Sequence, residues 1–197
     1  MPPSPALRDT ARGAVRGEVM RQAWLLFARD GFEATTVEQI AAAAGMSRRT
    51  FFRYFAGKEE LVLERLLESG EELAAALAAR PDDEPAWPAL RRAFDQLVEV
   101  QEAHAERSRP LQLMLRDEPS LRGVLTERHR RWLELLVPLV EQRLPARSGR
   151  RGPDARARAL TSCALACLQE AQELWAEHDG ARLGPLLDEA MDAVATP

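Results

Sequence analysis

Residues 35–58 read TTVEQIAAAAGMSRRTFFRYFAGK, and the spacing within them predicts two short helices joined by a tight turn. Thr36 and Gln39 stand three apart in the capping-box arrangement, so a helix is expected from Val37. Val37, Ile40, Ala41 and Ala44 then share one face at helical spacing. Gly45 ends that helix, because glycine takes the left-handed conformation at little steric cost. Ser47 is placed to cap a second helix, which runs from Arg48 to about Phe55. Phe51 and Phe55, four apart, are expected to face inward, leaving Arg48, Arg49, Thr50, Phe52, Arg53 and Tyr54 on the other sides. Residues 46–58 hold four cationic side chains and no acidic one, whereas a helix on a bundle surface ordinarily mixes the two. The second helix therefore offers a surface suited to phosphates.

Upstream, residues 1–13 carry three prolines and little apolar content, and are expected to form a flexible arm. Arg8 and Arg12 are in position to reach phosphates or a minor groove, although a solvated tail is the commoner fate of such an arm. A first helix is predicted over 14–30, with Val15, Val19, Ala23, Leu26 and Phe27 on one face and Asp30-Gly31 at its end. Phe27, Ile40, Phe51 and Phe55 are expected to share a small core, so that residues 14–60 form a helix-turn-helix domain.

Downstream, a fourth helix opens at Lys58 and extends to about residue 79. The loop 80–88, RPDDEPAWP, is the clearest break, with Trp87 as a candidate hydrophobic anchor. Further helices are predicted over 89–107, 111–116, 119–144, 154–178 and 183–194, about nine in all. Pro110 separates two of them, Pro138 is expected to kink a third, and Asp154 to cap the next. Residues 145–153 read as a basic, solvated loop. Residues 61–197 are thus expected to form a second, larger helical domain.

Composition supports an all-α class. Strong helix formers dominate, there is one isoleucine (Ile40), and β-branched residues are too sparse for a sheet. The formal net charge of −4 excludes a generally basic nucleic-acid coat, yet the charge is divided. Residues 1–60 carry +2 and residues 61–197 carry −6, which suits a chain that binds a polyanion at one end only. Of 27 basic residues 26 are arginine, and the single lysine is Lys58, at a helix start where the dipole favours an anion. No apolar run reaches the roughly 20 residues of a membrane span and no secretory signal is visible, so a cytoplasmic protein is expected.

The stretch DGFEATTVEQIA followed by AAAAGMSRRTFFRYFAGKEELV resembles the amino-terminal domain of the TetR family of transcriptional regulators, over about residues 15–63. The resemblance implies a repressor that binds double-stranded operator DNA, usually a palindrome, as a homodimer. It implies that the second helix of the motif enters the major groove. The matching positions are Ser47, Arg48, Arg49, Thr50, Phe52, Arg53 and Tyr54, with Arg49 and Thr50 the expected base readers. Thr36 and Lys58 would hold the DNA backbone. Two positions depart from the family pattern: Phe52 stands where tyrosine is common, and Tyr54 where histidine is frequent. Contact at Phe52 would therefore be apolar, as to a thymine methyl.

The same resemblance implies that the last two helices pair with their copies in a second subunit. Leu160, Ala164, Leu168, Ala171, Trp175, Leu187 and Met191 are the candidate interface, an apolar stripe in need of a cover. An effector in the body would displace the helix that opens at Lys58 and so change the separation of the reading heads. The candidate effector cavity is lined by Phe94, Met114, Trp132, Leu136, Cys167 and Trp175, with His104 or Arg116 as polar anchor. Position by position, core filling is the commoner role for such residues. The carboxy-terminal half bears a fainter resemblance to regulators with acyl-CoA-like or other lipophilic effectors.

Other chemistry is thinly represented. Cys163 and Cys167 stand one turn apart, but a closed zinc site needs two more ligands and none lies nearby in sequence, so no metal is expected. His104, His129 and His178 are scattered, no nucleotide-binding or nucleophile motif occurs, and no catalytic residue or cofactor is expected. Two rival readings remain at this stage: an all-helical interaction protein whose motif has lost DNA binding, and a small helical enzyme with a convergent acid–base pair. An activator of the same family is a third variant.

Overall fold

The computed structural model describes residues 5–145 and 155–195, and among them the chain is all-α, with ten α-helices and one 3-10 turn. The helices are α1 (Pro5–Asp30), α2 (Val37–Ala43), α3 (Arg48–Tyr54), α4 (Lys58–Ala78), α5 (Ala86–Ala93), α6 (Asp95–Ala103), α7 (Ala105–Asp117), α8 (Arg122–Glu141), α9 (Ala155–Glu177) and α10 (Leu183–Ala195), with the 3-10 turn at Pro119–Leu121 before α8. None of these is long and apolar enough to cross a membrane. The basic loop after its first residue, and the Asp154 cap, lie outside the described residues.

Two compact units divide the chain at residue 64. In the first, the apolar faces of α1 and α2 and the two phenylalanines of the motif meet as the sequence suggests: Val19, Ala23, Phe27, Ile40, Phe51 and Phe55 are buried, and Phe32, Leu61 and Val62 join them. The Phe51 and Phe55 rings lie 5.4 Å apart, and those of Phe27 and Phe32 5.0 Å apart. Helix α1 begins well before the predicted start at residue 14, and its first turns occupy positions assigned to the arm.

The second unit is built around α9, which packs on α5, α7, α8 and α10. Its core joins Leu77, Leu90, Phe94, Leu136, Val140, Leu168, Trp175, Leu187 and Met191. Three boundaries differ from expectation. The helix predicted over 89–107 is two, broken at Phe94, where the backbone stays near helical, and ended at His104 (φ −124°, ψ 40°). Pro110, expected as a boundary, sits inside α7, which restarts at Ala105. The helix predicted over 119–144 begins as the 3-10 turn and runs through Pro138 to Glu141. Proline lacks a donor, but three residues from the end of α8 only one helical hydrogen bond is at stake. Trp87 does pack against the core, from within the first turn of α5.

Candidate nucleic-acid interface

Helix α3 is held at both ends. At its start, Ser47 is extended (φ −77°, ψ 154°) and its hydroxyl accepts from the Thr50 amide at 3.1 Å. The turn before it closes as a Schellman motif. Gly45 adopts φ 69°, its amide donates to Ala42 O at 3.1 Å, and the Met46 amide donates to Ala41 O at 2.9 Å. Thr36 and Gln39 complete the capping box of α2: the Gln39 amide donates to the Thr36 hydroxyl at 3.2 Å and the Thr36 amide to Gln39 Oε1 at 2.7 Å.

At the other end of α3 a residue that sequence reasoning missed does the work. Arg16 of α1 donates to Tyr54 O at 2.7 Å and, with its other nitrogens, to Glu64 at 2.9 and 2.6 Å, while its guanidinium lies 4.5 Å from the Phe55 ring centre. The Glu64 carboxylate pushes the Arg16 pKa above its ordinary value. A cation bound at the last carbonyls of a helix favours that end of its dipole. The only sequence signal was an arginine on the otherwise apolar face of α1. Rigid support of this kind is what a reading helix needs, because an ordered surface loses little entropy on binding.

The side chains predicted to face DNA are turned to solvent. Arg48, Arg49, Phe52 and Arg53 are exposed and Thr50 and Tyr54 half-buried. Arg48 Nε pairs with Glu38 at 2.9 Å and its guanidinium lies 5.4 Å from the Phe52 ring centre. Both partners of that ion pair are well exposed, so it contributes little and is readily exchanged. Arg53 stacks on Tyr54 at 5.3 Å, and Arg12 approaches the same ring at 5.9 Å. Among the described residues neither Arg49 nor Arg53 has an acidic partner. Phe52 remains 45% exposed, an unusual position for a phenylalanine that has nothing to meet.

Lys58 makes contacts that its place in the sequence does not show. Its ammonium donates to Phe32 O at 2.7 Å, Glu33 O at 3.3 Å and Thr35 O at 3.3 Å, and lies 4.3 Å from the Phe32 ring centre. The side chain is only 16% exposed. All three of its protons therefore have backbone acceptors in the loop between α1 and α2, and a phosphate would have to displace them. Replacing Lys58 by methionine is expected to cost ~1.5–3 kcal/mol of stability, the worth of hydrogen bonds to a charged group. Urea unfolding measures that loss. The salt dependence of DNA binding should stay as it was, because a lost phosphate contact lowers the slope by about one.

The body residues separate differently from their predicted grouping. Of the eight candidates for an effector cavity, Trp132 lines one among the described residues. Phe94, Leu136 and Trp175 fill the core, and the Cys167 thiol, buried, donates to Ala190 O at 3.4 Å. Met114 is half-buried on α7, His104 stands exposed at the junction of α6 and α7, and Arg116 pairs with Asp117 and Glu177. The cavity that Trp132 does line lies between α8 and α9, offers about 100 Å³, and is walled by Arg128, His129, Trp132, Leu165, Ala166, Leu168, Gln169 and Gln172. Gln172 donates to Gln101 at 3.1 Å. The candidate interface stripe is likewise spent within the chain. Ala164, Leu168, Ala171, Trp175, Leu187 and Met191 are buried against α5, α7, α8 and each other, and Leu160 is partly covered. The face of α9 left open carries Ala159, Cys163, Ala166, Glu170 and Leu174 instead. Among the described residues no group of histidines, cysteines and carboxylates could hold a metal.

Comparison with known proteins adds to this geometry. Residues 19–64 match the family model described as bacterial regulatory proteins, tetR family, and residues 84–197 match the model of the MftR C-terminal domain. The chain is 27% identical over 169 residues to the MftR protein of Mycobacterium tuberculosis, named for regulation of mycofactocin biosynthesis, covering 86% of this chain and 83% of that one. It is 43% identical over 93 residues to the transcriptional regulator TcmR of Streptomyces glaucescens, spanning 47% of this chain and 41% of TcmR. Among solved structures, FadR of Thermus thermophilus, a TetR-family repressor crystallised with lauroyl-CoA, superposes with a TM-score of 0.62 at 25% identity, over 91% of this chain and 93% of FadR.

Proposed function

The chain belongs to the TetR family of bacterial transcriptional regulators, and on that premise we propose that it is a repressor that binds a palindromic operator as a homodimer and is released by a small effector. One observation carries this reading: α3 is fixed at both ends and presents Arg49 and Arg53, without acidic partners among the described residues, beside exposed Phe52. Arginine can reach two acceptors of a guanine edge at once, and the Thr50 methyl and the Phe52 ring are suited to thymine methyls. Arg48, Thr36 and Ser47, at helix starts, are placed for phosphate contact. Two copies of α3 would enter major grooves about 34–36 Å apart.

A second copy of the chain finds its cover on the open face of α9. Ala159 and Cys163 are small enough for close helix approach, and Leu174 is 45% exposed there. The effector would occupy the body unit; a small-molecule effector is in keeping with the crystallisation of the FadR repressor of Thermus thermophilus in complex with lauroyl-CoA. Action on operator DNA places the protein in the cytoplasm.

Genomic fragments selected by the purified protein supply an operator for the test. Arg49→Ala is expected to relax preference at one base position by about 1–3 kcal/mol, read as the ratio of affinities for matched and mismatched sites. Uniform weakening across all sequences would remove Arg49 from base reading. Absence of any salt-dependent shift on DNA would favour the interaction-protein alternative.

A further inference from the structure

The cavity between α8 and α9 has an uneven chemistry. Its body is apolar, formed by the Trp132 ring, Leu165 and Leu168. One wall is cationic. Arg128 lies 5.3 Å from the centre of the Trp132 ring, and among the described residues its guanidinium has no hydrogen-bond acceptor and no salt-bridge partner. Neighbouring arginines show what is unusual in this: on the same helix, Arg130 and Arg131 both share Glu127 and Glu134. Arginine keeps its charge at any physiological pH and offers five donors, so a partly buried one without an acceptor is a costly arrangement unless something supplies one.

From this geometry we infer that the cavity is an effector site for a compact amphipathic carboxylate, its anionic end paired with Arg128 and its apolar body against Trp132, Leu165 and Leu168. This rests on the proposed regulator reading and names the class of ligand. Size limits the ligand: about 100 Å³ suits a benzoate-sized or short-chain acid rather than a full acyl-CoA. His129 lines the same cavity. Burial, together with Arg128 and Arg158, holds its imidazole below the ordinary histidine value. Glu173 of α9 also acts on Arg128. A carboxylate docked beside Arg128 offsets the cationic field and raises the His129 pKa.

The site is also connected. The Trp132 indole, which forms its wall, donates to Leu66 O of α4 at 2.9 Å. Helix α4 opens at Lys58, whose ammonium holds the loop ahead of α2. A ligand that moves the indole therefore acts on the helix that both units share.

The test uses the whole protein without DNA and five probes: benzoate, hexanoate, their neutral amides benzamide and hexanamide, and lauroyl-CoA. Thermal midpoint and the NMR titration of His129, assigned by His129→Asn, are read for each. The expected result is that both acids raise the midpoint and the His129 pKa and the amides do neither. Arg128→Gln should weaken the acids about tenfold or more, the loss of a charged hydrogen-bonded pair. Arg128→Lys keeps the charge without the fork and should retain a reduced response, which serves if Arg128→Gln fails to fold. Amides equal to acids, an unchanged response in the arginine variants, no response to either acid at millimolar concentration, or lauroyl-CoA binding indifferent to Arg128 would each overturn the proposal. Operator binding by the ligand-free protein is measured alongside. Failure there counts against the regulator reading and leaves the carboxylate result to stand on its own.

Discussion

Phe51→Ala is expected to cost ~3–5 kcal/mol, the usual penalty for emptying a buried phenylalanine site, and to abolish operator binding. Phe51 is fully buried on the inner face of α3, with the Phe55 ring 5.4 Å away and buried Ile40 and Ala41 on α2 in the same unit. The unit has few other large anchors, chiefly Phe27, Phe32 and Phe55, so a cavity there has little material to relax into it. A whole protein is stable by only about 5–15 kcal/mol, and a small unit has less in reserve. The exposed arginines of α3 remain in the variant, and weak salt-dependent attraction to any DNA should persist while discrimination between sequences disappears. Denaturant unfolding and competition binding measure the two effects. Phe51→Leu, which keeps most of the volume, should lose under about 1.5 kcal/mol and retain discrimination. If Phe51→Ala kept its preference for the operator, the reading helix would not depend on its buried face, and its support would have to come from Ser47 and Arg16 alone.

What the sequence shows about this head is local chemistry, and local chemistry is readable. A capping box, a glycine that must take positive φ, a serine cap and two phenylalanines four apart involve two to four neighbouring residues each, and every one was found where it was expected. The contacts that spacing did not show, those of Lys58 and Arg16, depend on partners far away in the chain. Lys58 meets carbonyls 23 to 26 residues distant, and Arg16 meets Tyr54 and Glu64 38 and 48 residues distant. Nothing in spacing distinguishes a lysine that waits for a phosphate from one that bonds a loop. The body shows the same division. The apolar stripe of α9 was visible, but a stripe covered by α5, α7 and α8 has the same periodicity as one covered by a second subunit. Only contacts reveal that Leu168, Ala171 and Trp175 are already covered and that Cys163 and Leu174 on the same helix are not. Proline gave a false boundary at Pro110 because its cost is one hydrogen bond and some crowding, which tertiary packing can outweigh.

Gly70→Ala separates helix propensity from packing in α4. In an isolated helix the change should stabilise by about 1 kcal/mol, since alanine is the better helix former. Here a methyl group at residue 70 would sit 2.4 Å from Trp132 Nε1 and 2.5 Å from its Cδ1, closer than any real contact. Either the indole moves or α4 does. If the indole moves, its hydrogen bond to Leu66 O is lost, worth about 1 kcal/mol. Overpacking adds about 1–3 kcal/mol. The sum exceeds the propensity gain, so a net loss of ~1–3 kcal/mol is expected, together with a changed near-ultraviolet tryptophan signal. For a chain of this size such a loss lowers the melting temperature by roughly 2–4 °C per kcal/mol. The decisive comparison is a double-mutant cycle with Trp132→Leu, which removes the ring that the methyl would strike. In that background Gly70→Ala should turn from destabilising to neutral or stabilising. A Gly70→Ala variant more stable than the parent, with its tryptophan signal unchanged, would mean that α4 and α8 are not locked together at this point, and the path from the Arg128 cavity to α4 would lose its first step.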